Sequence, residues 1–545
     1  MVNWCGWGNE NESYALDDHP FFLPFLEMKF KVRLSHRPPP EKPPQKIPAS
    51  ALKARTRKSL ISIVGDDNFS EDGYLRLTHS RGKSYKDLVL LKDGHAGKIV
   101  DAVLFPRDER EILKILGMAS KEFIEIIPFG GGTTVLGGVT PTKNPSLCVD
   151  MMHFKTLDLD EISHTATLDA GLRGPEIEER LVRNGFTLGH FPQSFEFSTL
   201  GGWVATRSAG QASTKYGKIE DMVLGLRMVT PKGIIKVLPH PASSTGPGLK
   251  NLYVGSEGIF GIITSATLRV KSIPKVRDYE GFFFKTFHEG IRAIRTFMQN
   301  GIAPAVVRLS DAEETAVSLA LSQKKGITKE GLGSWFLQKS GFRCLLILGM
   351  EGNREEVTHE SEVSRHAIKE FHGLGVGKSV GEAWMRERFR HPYLRDTLLD
   401  RGVMIDTLET VTSWNNLEEL HRKTKEAIEK TIGKRNVRSI VMAHISHVYE
   451  TGACLYFTFM APQAKDKISQ WEDVKSAATR TILEGGGALS HHHGVGADHA
   501  PFFIAEHGKE GAETVRRTKM LFDPSGILNP GKVLVRTRAR KAKGN

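Results

Sequence analysis

Two kinds of stretch in this sequence carry residue types that can do chemistry: glycine-rich turns able to hold an anion, and a run of imidazoles able to move a proton. The first is Ile127-Pro128-Phe129-Gly130-Gly131-Gly132-Thr133-Thr134-Val135-Leu136-Gly137-Gly138. An apolar run over 123–127 stops at Pro128 and passes into glycines, which lack Cβ atoms and let backbone N–H groups approach an anion closely. That is how a pyrophosphate is held. Alone the loop reads equally as a surface turn after a strand, for it has neither the Gly-Lys-Ser/Thr of a Walker loop nor GxGxxG spacing. Gly/Ser/Thr-rich stretches recur at 192–202 and 255–263, and three spaced cradles imply one long cofactor. The imidazole run is His491-His492-His493. Imidazole is the commonest metal ligand, but consecutive strand residues point to opposite faces, and no carboxylate or thiol flanks the run at ligand spacing. The reading is therefore no metal, and a histidine cluster that polarises a carbonyl or phosphate.

Such groups need a scaffold, and 545 residues exceed one ordinary core, so two or more domains are expected. With 39% hydrophobic and 25% charged residues the composition is that of a soluble globular chain. The formal net charge of +12 suits an anionic partner. It is concentrated in Lys29, Lys31, Arg33 and Arg37 and in Arg536, Arg538, Arg540, Lys541 and Lys543, where a solvated tail is the default. Cys5, Cys148, Cys344 and Cys454 are far apart, which argues against a disulfide framework or a zinc site. No stretch reaches the ~20 apolar residues of a spanning helix, and neither end carries a recognisable targeting signal.

In chain order, Trp4-Cys5-Gly6-Trp7-Gly8 is expected to wedge its indoles against another surface, and the proline-rich 38–44 to form a linker or strap. Residues 50–93 read as partly helical. Strands are expected at 101–105, 123–127, 147–151, 165–170 and 261–270, helices from 107 and near 175, and a hairpin of 223–229 with 234–237 around Pro231 and Gly233. The pattern restarts beyond Pro274, with strands at 281–284, 305–309, 344–350, 439–445 and 453–460 and helices at 290–299, 355–371 and 471–484.

Four pieces, Pro128-Phe129-Gly130-Gly131-Gly132-Thr133-Thr134, 195–204, Tyr216-Gly217-Lys218-Ile219-Glu220-Asp221 and Gly255-Ser256-Glu257-Gly258, resemble the FAD-binding fold of the vanillyl-alcohol oxidase superfamily. So does the ending Phe522-Asp523-Pro524-Ser525-Gly526-Ile527-Leu528-Asn529-Pro530-Gly531-Lys532. Within the superfamily, Trp4-Cys5-Gly6-Trp7-Gly8, 303–309, 451–457 and 489–496 resemble the alkyldihydroxyacetone-phosphate synthases of ether-lipid synthesis, and the match runs through nearly the whole chain. The resemblance implies an α+β protein: an N-terminal extension (1–94), a two-part PCMH-type FAD-binding domain (95–275), an α+β substrate cap (276–480) and a C-terminal active-site segment with a basic tail (481–545).

Carried over by motif, non-covalent FAD would lie on Pro128, Phe129, Gly130, Gly131, Gly132, Thr133 and Thr134. Gln193, Ser194, Phe195, Glu196, Phe197, Ser198, Thr199, Thr206, Arg207, Ser208 and Ala209 would flank the isoalloxazine, and Glu257, Gly258, Ile259, Phe260, Gly261, Ile262 and Ile263 would close over the adenosine. Gln193 replaces the family's aspartate and removes a negative charge near the flavin. The resemblance further implies that flavin N5 attacks C1 of acyl-dihydroxyacetone phosphate, the fatty acid leaves, and a fatty alcohol displaces the flavin to give the ether. Tyr456 stands at the family's acid/base position; a phenol acts as a base only beside a cation, for which the histidine run and Arg395 are the candidates. Tyr456, His491, His492, His493 and Arg395 are thus the catalytic candidates, with Arg395, Arg308 and His190 for substrate. Against these stand a core tyrosine, a pairing of Arg395 with Asp396 or Asp400, and an interdomain salt bridge for Arg308. The implied partners are acyl-dihydroxyacetone phosphate, a long-chain fatty alcohol, a membrane surface and a second copy of the chain, with no nucleic acid. The implied compartment is a peroxisome-like organelle in a eukaryote, or the cytoplasm or a membrane periphery in a prokaryote. The alternative activity is that of an FAD-dependent D-2-hydroxy-acid dehydrogenase or oxidase.

Overall fold

In a computed structural model, residues 2–40, 42–44, 47–322 and 341–535 are described; Glu41 of the strap and the basic tail residues Arg536, Arg538, Arg540, Lys541 and Lys543 lie outside them. A four-stranded sheet runs in the order Phe69–Ser70, Ala102–Leu104, Ser146–Asp150, Glu125–Phe129. Its last three strands are parallel, and parallel strands are covered on both faces, so their residues form unbroken apolar runs. Ile126, Ile127, Leu147, Cys148 and Val149 accordingly have no exposed surface. The crossover helix Glu109–Glu122 begins at Asp108, whose carboxylate accepts from the Glu111 N–H at 2.8 Å. It ends at Phe123 in a left-handed turn, so the strand starts two residues later than the apolar run implies.

An antiparallel five-stranded sheet follows: Leu157–Asp160, Thr165–Asp169, Ile262–Arg269, Val223–Thr230, Gly233–Val237. The expected hairpin is there, with Thr230 opposite Gly233. The C-terminal segment comes back to the first sheet. Ile126 donates to the Ile527 carbonyl at 2.9 Å and the Asn529 N–H donates to the Ile126 carbonyl at 2.9 Å, beside the strand that feeds the glycine loop. Asp523 organises that return, accepting from Ile527 N (3.0 Å), Leu528 N (2.9 Å) and Lys519 Nζ (2.8 Å) while almost wholly buried.

The third sheet has seven strands in the order Leu374–Gly377, Val276–Phe284, Cys344–Gly352, Val306–Ser310, Ile440–Val448, Gly452–Pro462, Val403–Ser413, each antiparallel to its neighbours. Helices Phe287–Gln299, Arg354–Glu370, Leu417–Gly433 and Lys467–Glu484 pack on it. Val403–Ser413 and Leu417–Gly433 are long elements absent from the sequence reading. Register matters most here: Glu409 and His444 both sit opposite Tyr456, one on each side, and cross-strand partners share a face.

The N-terminal segment is wedged in as expected, with Trp4 and Trp7 buried. The Trp7 ring meets Phe197 edge-on at 5.8 Å, its backbone N–H donates to Asp396, and Lys83 Nζ donates to the Asn3 and Gly6 carbonyls at 3.0 and 2.6 Å.

Replacing Asp523 by Ala leaves two buried N–H groups without their acceptor and takes the carboxylate from the Lys519 ammonium, which keeps the Ile259 and Leu528 carbonyls; the loss costs roughly 2–4 kcal/mol. The variant should melt well below the parent; an unchanged midpoint would show that the returning segment is held by other contacts.

Candidate active site

The glycine loop is pressed against the 193–199 turn. A Cβ on Gly130 would fall 2.2 Å from Thr199 Oγ1, and one on Gly131 would fall 2.0 Å from the Phe197 carbonyl oxygen. Gly132 has φ of +63°, a region that L side chains avoid. Only glycine fits, and the loop's backbone is left facing a cavity. That cavity, about 430 Å³, is lined by the 128–135 stretch, by Gln193, Ser194, Ser198, Thr199, Thr206, Ser208 and Ala209, and by Glu257, Gly258 and the 261–263 stretch. A loop closed to side chains and walled by hydroxyls fits a pyrophosphate and the groups attached to it. FAD suits the residues present.

The other half of the cavity is built on the seven-stranded sheet. Tyr456 projects from Gly452–Pro462 and donates to Thr407 Oγ1 at 3.1 Å. His444 stacks on it at 5.0 Å and His492 at 5.8 Å, and His493 meets its edge at 5.5 Å. The histidine run lies in a bend rather than on a strand, which departs from the alternating geometry read from the sequence. The cause is Glu409. Its Oε1 accepts from Ser490 Oγ (2.7 Å), His492 N (3.1 Å) and His493 N (2.8 Å), and its Oε2 accepts from His491 N. Successive N–H groups turned onto one carboxylate force the chain to curl, so the rings fan out instead of alternating. Burial alone would raise the Glu409 carboxyl, but the three imidazoles and the Ser490 hydroxyl outweigh it and hold it well below the carboxylate range. Burial also pushes His491 and His492 well below the usual imidazole value and lowers His493.

A triad of half-buried Arg308 with buried Glu314 and His444 backs Tyr456. Arg308 Nη2 donates to Glu314 Oε1 at 2.5 Å, Arg308 Nη1 meets His444 Nε2 at 2.8 Å, and His444 Nδ1 meets Glu314 Oε2 at 2.9 Å. The two halves are clasped by Glu257, which accepts from Val495 N (2.5 Å) and Gly496 N (2.8 Å) just after the histidines. Its burial raises that carboxyl to about 7. From Tyr456 the cavity continues into an apolar arm made by Phe22, Val317, Leu321, Leu398 and Met460.

Several expected residues stand elsewhere. His190 is fully buried and does not line the cavity; its Nε2 meets Ser208 Oγ at 3.2 Å and its ring packs on Trp203 at 4.8 Å, so it supports the wall instead of touching substrate. Phe195 packs between Phe191 and Phe389, Phe197 faces Trp7, and Ile259 and Phe260 belong to the core that also takes in helix Phe503–Phe522. Arg207 reaches Glu220 at 4.0 Å on the surface, and Glu196 is exposed. None of these six lines the main cavity. His491 is a step behind it, held by Tyr449 at 2.5 Å. Arg395 does line it, but its guanidinium is shared with Asp396 (3.1 Å) and the Lys83 carbonyl (2.7 Å). Gln193 donates to the Arg388 carbonyl at 2.6 Å. The Tyr456 phenol is pushed up by burial, with Glu409 and Asp406 adding to the effect, so its neighbours favour the neutral phenol and not the phenolate. Glu314, His444, His447 and His391, which line the cavity, and Glu409, which holds the histidine turn, are candidate positions that the sequence reading misses. A signal existed: a lone glutamate or histidine inside an apolar strand run, as in Leu408-Glu409-Thr410-Val411 or Ala443-His444-Ile445, is costly unless partnered.

A family model described as an FAD binding domain matches residues 100–238, and one described as the C-terminal domain of FAD linked oxidases matches 273–533. The chain is 33% identical over 539 residues to an alkyldihydroxyacetonephosphate synthase of Dictyostelium discoideum, covering 97% of this chain and 85% of that one. It is 32% identical over 569 residues to an alkyldihydroxyacetonephosphate synthase of Trypanosoma brucei brucei, covering 98% and 92%. A solved structure of an alkyldihydroxyacetonephosphate synthase superposes with a TM-score of 0.84 at 29% identity, over 97% of this chain and 99% of the other.

The buried imidazoles make stability depend on pH. Burial lowers His190 and His499 to about 3 and His391 and His447 to about 4. As the pH falls below about 6.5, the unfolded chain takes up protons that these folded rings refuse, so stability present at neutral pH is lost on acidification. Glu257 and Asp498, raised by burial to about 7 and about 6, work the other way. Four rings outweigh two carboxyls, and unfolding free energy should drop by roughly 2–3 kcal/mol per pH unit between about pH 6 and 4.5. Thermal midpoints across that range check this; a midpoint that rose on acidification would overturn it.

Proposed function

Because the chain belongs to the alkyldihydroxyacetonephosphate synthase family, we propose that it exchanges the acyl chain of acyl-dihydroxyacetone phosphate for a long-chain fatty alcohol, forming an ether bond with non-covalent FAD as cofactor. The observation that carries this is the continuity of one cavity from the glycine loop, past Tyr456 and His492, into the apolar arm of Phe22, Val317, Leu321 and Leu398. A 2-hydroxy acid has no use for such an arm; a fatty chain does.

Bound on the glycine loop, FAD supplies a ring nitrogen able to exchange one chain for the other without net oxidation. The chain's own residues divide the proton work. His492 and His493, neutral because buried, accept a proton, and Glu409 stabilises the imidazolium that forms. Tyr456, kept neutral, donates to the oxygen where charge develops. Arg308 and Arg395 hold the phosphate and the departing carboxylate, each oriented by its own carboxylate, Glu314 and Asp396.

The substrates are amphiphiles, and the helix that contributes Phe22 to the arm carries a matching surface. Phe21, which caps helix Phe22–Phe30, and Met28 within it are 58% and 65% exposed, and Lys31 and Arg33 follow the helix in the chain. Lys29, in contrast, is tied to Glu313 at 2.7 Å. Among the described residues no helix is long and apolar enough to cross a membrane, so this face is read as a peripheral membrane contact. A homodimer and, in a eukaryote, a peroxisome-like compartment belong to the same proposal.

Acyl-dihydroxyacetone phosphate and a fatty alcohol, incubated with the yellow protein, should yield the ether product and free fatty acid with the flavin spectrum unchanged. Bleaching by a D-2-hydroxy acid without ether formation would replace this reading with the dehydrogenase. In the same assay Tyr456→Phe should lower turnover by ~10² or more at unchanged FAD content and midpoint; retention of over half the activity would remove Tyr456 from the chemistry.

Anionic vesicles should sediment the protein, with each unpaired Lys or Arg contributing ~1 kcal/mol and salt weakening the binding. Double replacement of Phe21 and Met28 by Ser should release it, and binding indifferent to salt, lipid charge and both substitutions would exclude this face.

A further inference from the structure

We propose that His447, Cys454, His491 and His492 form a site for one thiophilic divalent cation of the zinc class, set into the wall of the cavity. One nitrogen from each ring and the Cys454 sulfur all lie within 4.8 Å of one another. The ring centres are 4.8 Å (His447 to His491), 5.3 Å (His447 to His492) and 5.2 Å (His491 to His492) apart. Imidazoles bound tetrahedrally to one ion through bonds of ~2.1 Å keep their centres about 5 Å apart. The three separations match that spacing, and the ligand atoms themselves lie close enough together to share one ion.

The nitrogens are also sorted correctly. His447 Nε2–H donates to the Gly210 carbonyl at 2.9 Å, and His491 Nε2 meets the Tyr449 hydroxyl at 2.5 Å. Ligating histidines use their outer nitrogen in this way, which fixes the tautomer that aims the inner lone pair at the metal. The inner nitrogens of His491 and His492, both Nδ1, face each other at 2.9 Å. Two lone pairs at that distance repel unless something positive, a proton or a metal ion, lies between them. Ser446 Oγ, 2.9 Å from His447 Nδ1, is the neighbour that must turn aside.

Cys454 completes the set, paired with His447 across adjacent strands and fully buried. A donor set of three imidazoles and one thiolate selects zinc, copper or cobalt over magnesium or calcium. The neighbouring grouping of Glu409 with His492 and His493 does not compete, because both Glu409 oxygens already accept from the histidine turn. Glu409 instead fixes the backbone from which two of the ligands hang.

On binding, the Cys454 thiol loses its proton to solvent as the sulfur–metal bond forms, the imidazoles ligate as neutral rings, and nothing is oxidised or reduced. Because His447 and His492 also line the cavity, the ion withdraws the His492 lone pair from proton transfer. The site is inhibitory.

The test uses the FAD-loaded full chain. Incubation with Zn²⁺ followed by gel filtration should leave one metal equivalent per chain. Co²⁺ should give intense tetrahedral d–d bands beyond the flavin absorption, together with a thiolate charge-transfer band. Cys454→Ser, with Cys454→Ala as a second variant, should abolish the charge-transfer band and weaken retention at least ~10-fold. Where the exchange assay gives turnover, Zn²⁺ should suppress it at least ~10-fold, a chelator should restore it, and Cys454→Ser should keep metal-free turnover while resisting zinc. No retained metal, or equal retention by both cysteine variants, overturns the site. Stoichiometric metal with full turnover overturns its inhibitory role. Metal content and the cobalt spectrum are read without any substrate, so failure of the exchange reading leaves this test intact.

Discussion

The Glu409 carboxylate, 2% exposed and saturated by three backbone N–H groups and a hydroxyl, is the contact on which the rest of the site depends. Taking a carboxylate out of water costs several kcal/mol, and only well-directed donors offset it. Here the donors come from consecutive residues of a segment some eighty positions away, so satisfying the charge and shaping the histidine turn are one event. The strand register then does the rest: Glu409, Tyr456 and His444 stand in one row, and the turn brings His492 and His493 over it. Remove the negative charge and the imidazoles have neither a shape to hold nor a counter-ion when one of them takes a proton.

How much of this the sequence discloses depends on whether the signal is local. The glycine loop, the 223–237 hairpin and the crossover helix are short-range patterns, and they lie within a residue or two of their expected places. The mixed α+β architecture and the FAD cradle follow from them. Partnerships across eighty residues or more are different. Nothing adjacent to Glu409 or Glu314 announces a partner at 490 or 444, because sheet register is settled by tertiary packing. The same non-locality undoes the alternating picture of His491 to His493, which holds for a free strand and fails when a buried anion gathers the backbone. His190 misleads for another reason: a motif match preserves its position in the chain but not whether its ring sees solvent, and here Trp203 and Ser208 close over it.

The two halves of the cavity are mechanically joined, not merely adjacent. Glu257 belongs to the third cradle and holds the turn after the histidines, while the Asn529 amide donates to the Glu257 carbonyl at 2.7 Å and to the Gly138 carbonyl at 3.1 Å. Asp396 makes a similar join on the opposite side, receiving both Arg395 and the backbone of Trp7. Groups on the cofactor wall and groups on the substrate wall thus share buried hydrogen bonds, so displacement of one is felt by the other.

The return of the C-terminal segment to Ile126 also sets a schedule for biosynthesis. The strand that feeds the glycine loop leaves the ribosome about 400 residues before its hydrogen-bonding partner at Ile527, an interval of roughly 20–80 s at ordinary elongation rates. During that time the strand's outer edge has no mate from its own chain, and an open edge is the part of a sheet most prone to pair with a stranger. A nascent chain of this kind therefore depends on some shield for that edge until translation is nearly complete, and a prematurely terminated chain would never acquire one of its own.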